Sequence, residues 1–229
     1  MTLPDIAETV FGDRLPLAER FAEWLTGPGI VRGLLGPSEA DQIWIRHVLN
    51  GVGIASLIAA GSVVIDLGSG AGLPGVPLVL ARPDLQVVLV EPKARRAEFL
   101  REVCADLGLA TRVARARATP AGLVLLPEGT SAPEAPPADV VTARAVASIA
   151  NLGSWAVPLL RPGGRVLAVK GATAEAELDR DERLLRRLGF EQLDVLAVPP
   201  VPGTGHRAAS AHGTATVVSM TLTCVSRET

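Results

Sequence analysis

Val63 to Gly75, VVIDLGSGAGLPG, is the stretch that decides the fold. An apolar β-branched run ends on an acid, Asp66, and enters a turn with glycines at 68, 70, 72 and 75. That order describes a buried parallel strand, a glycine-rich turn and a helix, the corner where open α/β sheets bind adenosine-containing cofactors. Gly70 to Gly75 also satisfies G-x-G-x-x-G, so two cofactor classes compete. A dinucleotide turn presents free backbone N–H groups to a pyrophosphate. Pro74 lacks that donor, and the Asp66 carboxylate would repel a phosphate. S-adenosylmethionine (SAM) carries a sulfonium and an ammonium instead, and an acid at the strand end suits both. Further on, Gln86 to Val90 forms a second apolar strand that closes on Glu91. A carboxylate there accepts from ribose hydroxyls, in SAM as in a nicotinamide cofactor.

Length and composition bound the remainder. A chain of 229 residues can bury a substantial core without staples, as one α/β domain or one with a small appendage. Cys104 and Cys224 give neither a disulfide framework nor a metal spacing, which fits a reducing cytoplasm. His206 and His212 lie in a glycine-rich segment without metal spacing, so no metal is expected. Val48 to Ile65 is uncharged and long enough to suggest a membrane span. It contains Asn50, Ser56, Ser62 and three glycines, and a helix, a turn and a buried strand explain it better. Net charge is −2, so no global positive field announces a nucleic acid. Only Lys93 and Lys170 are lysines, and arginines cluster at 95, 96, 101, 112, 115 and 117. A GC-rich genome accounts for most of that bias, with a local basic surface over 93–117 as the other reading.

Residues 1–60 are expected to form a helical extension, and 61–229 the cofactor domain. Apolar spacing predicts helices over Asp5–Phe11 and Leu17–Leu25, with breakers at Gly27-Pro28-Gly29 and an N-cap at Ser38. From Ser62 onward strands near 62–67, 86–91, 111–115, 138–143 and 164–169 alternate with helices near 74–81, 93–107, 147–160 and 174–188. This alternation implies a mostly parallel, doubly covered sheet of the Rossmann-like α/β class. Runs near 190–198 and 215–223 predict a hairpin at the sheet edge. Pro127–Ala138 and Pro199–Gly213 are expected to be loops.

Methyl transfer from SAM is an in-line displacement from an excellent leaving group, so alignment supplies most of the acceleration. Exocyclic base amines are usually served by an Asn/Asp-Pro-Pro-aromatic motif after the fourth strand. Here that segment reads Val141-Thr142-Ala143-Arg144-Ala145. Cytosine C5 needs a cysteine nucleophile, and neither cysteine ends a strand on the cofactor side. A guanine ring nitrogen such as N7 is already a lone-pair nucleophile. The omissions point to an acceptor that only has to be positioned.

DLGSGAGLPGVPL, EPKARRAEFLREV, VTARAVAS and VLAVKG together resemble the RsmG (GidB) family, over about residues 38 to 175. The resemblance implies a class I SAM-dependent methyltransferase with a mostly parallel seven-stranded sheet. It implies methylation of guanine N7 in the decoding-region loop of 16S rRNA, free or in the small ribosomal subunit, by a cytoplasmic monomer that uses neither DNA nor membrane. It places Gly68 and Leu73 on SAM, Glu91 near the ribose, Ala118 and Thr119 beside the adenine, and Arg144 at the cofactor end of the active site as the catalytic residue. Asp66 and Gly70 of the glycine turn are expected to hold SAM with them. Arg46 and His47 match the family's Arg-His pair and, with Lys170 as a phosphate contact, are expected to serve the substrate. The chain departs from the commoner pattern at Asn50-Gly51, at Thr119, and at Trp24-Leu25 with GPGIVRGLLGP, a form resembling the actinobacterial branch. Three alternatives stay open at this point: a SAM methyltransferase of small molecules, a nicotinamide-dependent oxidoreductase, and a non-catalytic ribosome-binding factor.

Overall fold

A computed structural model describes residues 2–126, 137–201 and 213–223. Nine strands and seven α-helices are present among them. The strands are β1 Val63–Leu67, β2 Gln86–Val90, β3 Arg112–Ala114, β4 Ala116–Thr119, β5 Gly122–Leu125, β6 Ala138–Arg144, β7 Leu160–Lys170, β8 Phe190–Val198 and β9 Ala215–Leu222. The helices are α1 Leu3–Phe11, α2 Leu15–Trp24, α3 Asn50–Val52, α4 Gly75–Ala81, α5 Ala94–Asp106, α6 Ile149–Ala156 and α7 Ala174–Arg187. Seven strands form one sheet in the order β3-β2-β1-β6-β7-β9-β8. The first five run parallel, and β9 pairs antiparallel with β7 on one side and β8 on the other. The chain order reverses at β1, between β2 and β6, which opens a crevice at the carboxyl ends of those strands. This is the Rossmann-like architecture expected from the alternating pattern.

Two apolar layers cover the sheet. On one side Ile6, Phe21 and Leu25 from the N-terminal helices share a core with Val76, Leu80, Phe99 and Leu100 of α4 and α5. On the other, Leu152 of α6 and Leu185 of α7 pack with Phe190 and Met220. Each fully buried side chain of this size contributes about 1.5–3 kcal/mol relative to exposure. The N-terminal residues therefore have no core of their own, and polar clamps fix them further. Arg32 Nη2 reaches Glu102 Oε2 at 2.6 Å, and its guanidinium lies over the Phe99 ring. Asp106 accepts from both Trp24 Nε1 (2.7 Å) and Arg20 Nε (3.0 Å).

Several expected boundaries move, each for a local reason. Gly27-Pro28-Gly29 does not break the helix; the chain widens into a π-helical turn over Leu25–Gly29 and stops at Gly33, whose φ is +68°. Ser38 is not an N-cap, because Pro37 already opens a 3₁₀ turn over Pro37–Gln42. Helix α6 ends at Ala156 instead of running to 160; Val157 keeps helical dihedrals as its cap, and Pro158 has no N–H with which to continue the ladder. Strand β7 starts early at Leu160, and Arg161–Gly164 bulge out between the Ala138–Leu160 and Val140–Arg165 pairs. The expected strand over 111–115 shortens, and a strand that was not expected follows it. Arg112–Ala114 joins the sheet, and Ala116–Thr119 turns at Pro120-Ala121 to form a separate hairpin with β5.

No helix among the described residues is long and apolar enough to cross a membrane. Val48 to Ile65 becomes short helical turns and the start of β1. The late hairpin forms as expected, with β9 on its inner side. The expected loops Pro127–Ala138 and Pro199–Gly213 lie mostly outside the described residues, as do Cys224, His206 and His212 entirely.

Candidate active site

The crevice at the reversal holds a cavity of about 510 Å³. Its floor is the turn after β1. Gly68 and Ser69 both donate their N–H groups to the Val90 carbonyl, at 2.7 and 3.1 Å, which folds the turn over the end of β2. Gly68 has φ +68° and faces the loop after β6 so closely that a Cβ there would lie 2.6 Å from Val146 Cγ2. Only glycine meets both demands.

Six of the eight expected cofactor residues line this cavity: Gly68, Gly70, Leu73, Glu91, Ala118 and Arg144. Glu91 is nearly fully buried, and both its oxygens are oriented by backbone donors, Gly70 N–H at 3.0 Å and Lys93 N–H at 2.8 Å. A carboxylate has about four lone-pair sites, so Glu91 keeps acceptor capacity toward the cavity. That fits a ribose. Apolar walls from Leu73, Val90 and Ala118 suit a nucleobase.

Asp66 and Thr119 are placed differently. Thr119 closes the β4–β5 turn, donating its hydroxyl to the Gly122 carbonyl and accepting from Ala121 N–H. Asp66 is fully buried beneath the wall, where Oδ2 accepts the Gly75 N–H at 3.2 Å and so anchors the start of α4. Its Oδ1 is buried without a partner among the described residues. Burial, opposed by hydrogen bonding and reinforced by the negative Glu91, pushes the Asp66 carboxyl up to about 7. An orphaned carboxylate oxygen in this position is a feature that a cationic cofactor would offset electrostatically.

The raised value has a consequence for stability. The folded chain binds this proton more tightly than the unfolded one, so the contribution is full below 3.8 and is lost as pH rises through about 7. Carboxylates such as Asp106 and Glu177 are shifted downward and act in the opposite sense. The Asp66→Asn variant isolates the effect. Its melting temperature relative to the unsubstituted protein is expected to climb steadily between about pH 4 and 7. A constant difference across that range would contradict the assigned burial.

Arg144 ends β6 and lines the cavity, held half-buried by the turn that follows, where Ala145 takes φ +53°. A non-glycine residue there is strained. Burial first, then the nearby Arg46 charge, lowers the Arg144 guanidinium from its ordinary range, yet a guanidinium stays protonated. Its Nη2 meets His47 Nδ1 at 3.0 Å, while Nη1 is buried without a partner among the described residues. His47 lines the cavity, whereas Arg46 is largely exposed outside it. Lys170 is engaged within the fold. Its Nζ donates to the Ala147 carbonyl at 2.7 Å and to Glu177 at 2.8 Å, tying the loop after Arg144 to α7.

Some wall residues had no sequence signal. Leu34 and Leu35 cover the mouth from the strap after α2, and Lys93, Arg96 and Arg117 add positive charge. Glu39, which holds His47, is eight residues away from it with no periodicity linking them. The arginine cluster over 93–117 was legible, but not that two of its members face the cavity.

Among solved structures, the chain aligns with a SAM-dependent O-methyltransferase from Thermotoga maritima at TM-score 0.55 and 22% identity, covering 76% of this chain and 65% of that one. It aligns with a methyltransferase from Pyrococcus furiosus at TM-score 0.52 and 14% identity, covering 75% and 80%. These likenesses concern the fold. Curated relatives are far more similar. Ribosomal RNA small subunit methyltransferase G of Mycolicibacterium gilvum is 51% identical over 192 residues, 84% of this chain and 81% of that protein. The protein of the same name from Rhodococcus jostii is 46% identical, over 88% and 87%. The family model GidB, rRNA small subunit methyltransferase G, matches residues 14–201. With most of its length inside that match and actinobacterial relatives near half identical, the chain belongs to the GidB family of small-subunit rRNA methyltransferases.

Proposed function

We propose that the protein transfers a methyl group from SAM to N7 of a guanine in the decoding-region loop of 16S rRNA. Family membership carries the methyltransferase activity and the cofactor, and with them goes the nicotinamide alternative. The ring-nitrogen acceptor is supported by one observation: no unengaged base or thiol lines the cavity among the described residues. His47 has both ring nitrogens occupied, by Glu39 and Arg144. Glu91 is held by two backbone donors, and its remaining acceptor capacity is the part assigned to the ribose hydroxyls. Cys104 is buried in α5, and burial raises its thiol to about 11. An acceptor that must lose a proton, or be activated by covalent attack, finds no partner there; a guanine N7 lone pair needs none.

Bound SAM supplies an electrophilic methyl on a sulfonium leaving group. The residues present fit it: Glu91 to accept from the ribose hydroxyls, the Gly68–Gly70 turn to permit close approach, and Asp66 to favour the cofactor's positive charge from below. Arg144 lines the same cavity and carries a buried donor without a partner among the described residues, Nη1. It would orient guanine through its O6 or N7 edge, the edge that arginine reads. Lys93, Arg96 and Arg117 at the rim would meet phosphates of a structured loop. The cytoplasm, where small ribosomal subunits are, is the compartment this reading implies.

Calorimetry of SAM binding tests the cofactor half. Glu91→Gln removes the charge of the ribose acceptor, and affinity is expected to fall by about tenfold or more. Equal affinity in that variant would remove Glu91 from the site. The acceptor half is tested by offering undermodified 16S rRNA beside a panel of small-molecule acceptors. Label on RNA alone supports the reading, and transfer only to metabolites would replace it with the small-molecule alternative.

A further inference from the structure

Glu39, His47 and Arg144 come from three separate segments and form one hydrogen-bonded line ending at the cavity. His47 Nε2 lies 2.7 Å from Glu39 Oε2, and Nδ1 lies 3.0 Å from Arg144 Nη2. A guanidinium only donates and a carboxylate only accepts. One tautomer satisfies both neighbours: a neutral imidazole with its proton on Nε2, donating to Glu39 and accepting from Arg144. The His47 side chain is 8% exposed, so the ring has little freedom to turn away.

We propose that Glu39 and His47 are positioning residues that aim the Arg144 guanidinium into the cavity, and do so only while His47 is neutral. The proposal rests on the role given above to Arg144. Protonation of His47 at Nδ1 would set two donors, both cationic, 3.0 Å apart. The guanidinium would then have to leave its position in the cavity wall. Three charged groups face the imidazole: Glu39 from the Pro37–Gln42 turn, Arg144 from β6, and Arg46 from its own turn. Glu39 favours the imidazolium; both arginines and burial oppose it, and the net effect lowers the His47 pKa. His47 takes no proton from the acceptor in this scheme. Its charge state sets where Arg144 points.

Methyl-transfer rates on undermodified rRNA, at saturating SAM between about pH 5 and 8.5, test this in the unsubstituted protein and four variants. An acid limb is expected, its midpoint equal to the His47 imidazole titration followed by NMR. The chain has three histidines, so the His47 signal is the one missing from His47→Gln. Glu39→Gln withdraws the charge that favours the imidazolium, so its limb moves to lower pH while its plateau falls about threefold. His47→Gln keeps one donor and one acceptor but does not titrate; its limb disappears and its plateau falls about tenfold. The Nε2–H tautomer, read from ¹⁵N shifts at neutral pH, requires no variant to fold. Finding the Nδ1–H tautomer, or a limb unchanged in both variants, would overturn the proposal. Arg144→Ala and Arg144→Lys separate the two layers. Full activity in both defeats the role of Arg144 itself, whereas slow arginine variants with unshifted limbs defeat only the relay.

Discussion

Replacing Arg144 with alanine is expected to slow methyl transfer by roughly 10²–10³-fold and to leave the fold intact. The arginine ends β6, and its guanidinium touches His47 without bridging the core, so its removal opens no apolar cavity. What is lost is a fixed donor, Nη1, held in a buried position before the acceptor arrives. Pre-oriented donors in water-poor sites are worth far more than the same groups in solution, because no reorganisation is needed when the reaction occurs. Rates measured at saturating SAM and RNA, beside circular dichroism and melting curves, check this. Undiminished turnover would take Arg144 out of the site, and a collapsed melting temperature would assign it a structural duty instead.

A second large effect is expected at Gly75. A Cβ added there would lie 2.3 Å from Leu89 Cδ2 and 2.7 Å from Asp66 Oδ2. Both neighbours are immobile: Leu89 is fully buried in β2, and Asp66 is fixed by the Gly75 N–H. Gly75→Ala must therefore push α4 away from the sheet or break the bond that starts it. Overpacking of this kind costs roughly 2–3 kcal/mol. In a chain of this size that lowers the melting temperature by about 4–12 °C, measurable by calorimetry. A variant melting with the parent protein would mean that the turn is looser than described.

The same stretch shows why much of the fold was legible. Val63–Leu67 is β-branched and apolar, and glycines follow at positions that require positive φ or close approach, so local chemistry and tertiary role agree. The late hairpin was legible for a similar reason, as two apolar runs flank a loop. The β4–β5 hairpin was not, because Ala116-Arg117-Ala118-Thr119 has little intrinsic strand preference. In the site, residues near the glycine turn could be named from motif alone. Asp66 is expected on the cofactor, yet it lies fully buried, and period-two alternation along a strand buried on both faces does not say which side a residue takes. Lys170 looked like a free strand-end cation, and its partners come from Ala147 and Glu177, beyond the reach of local pattern. The His47–Arg144 contact spans 97 positions and is visible only in three dimensions.

The most direct measurement is transfer of labelled methyl from SAM to small ribosomal subunits taken from a strain that lacks this enzyme, followed by nuclease digestion and chromatography of the nucleosides. Naked rRNA, DNA and subunits from the intact strain run beside them. The account predicts label as N7-methylguanosine from undermodified rRNA or subunits, and none from DNA or from subunits already modified. Label on another nucleoside, or on ribosomal protein, would contradict the assignment of a ring-nitrogen acceptor to this cavity.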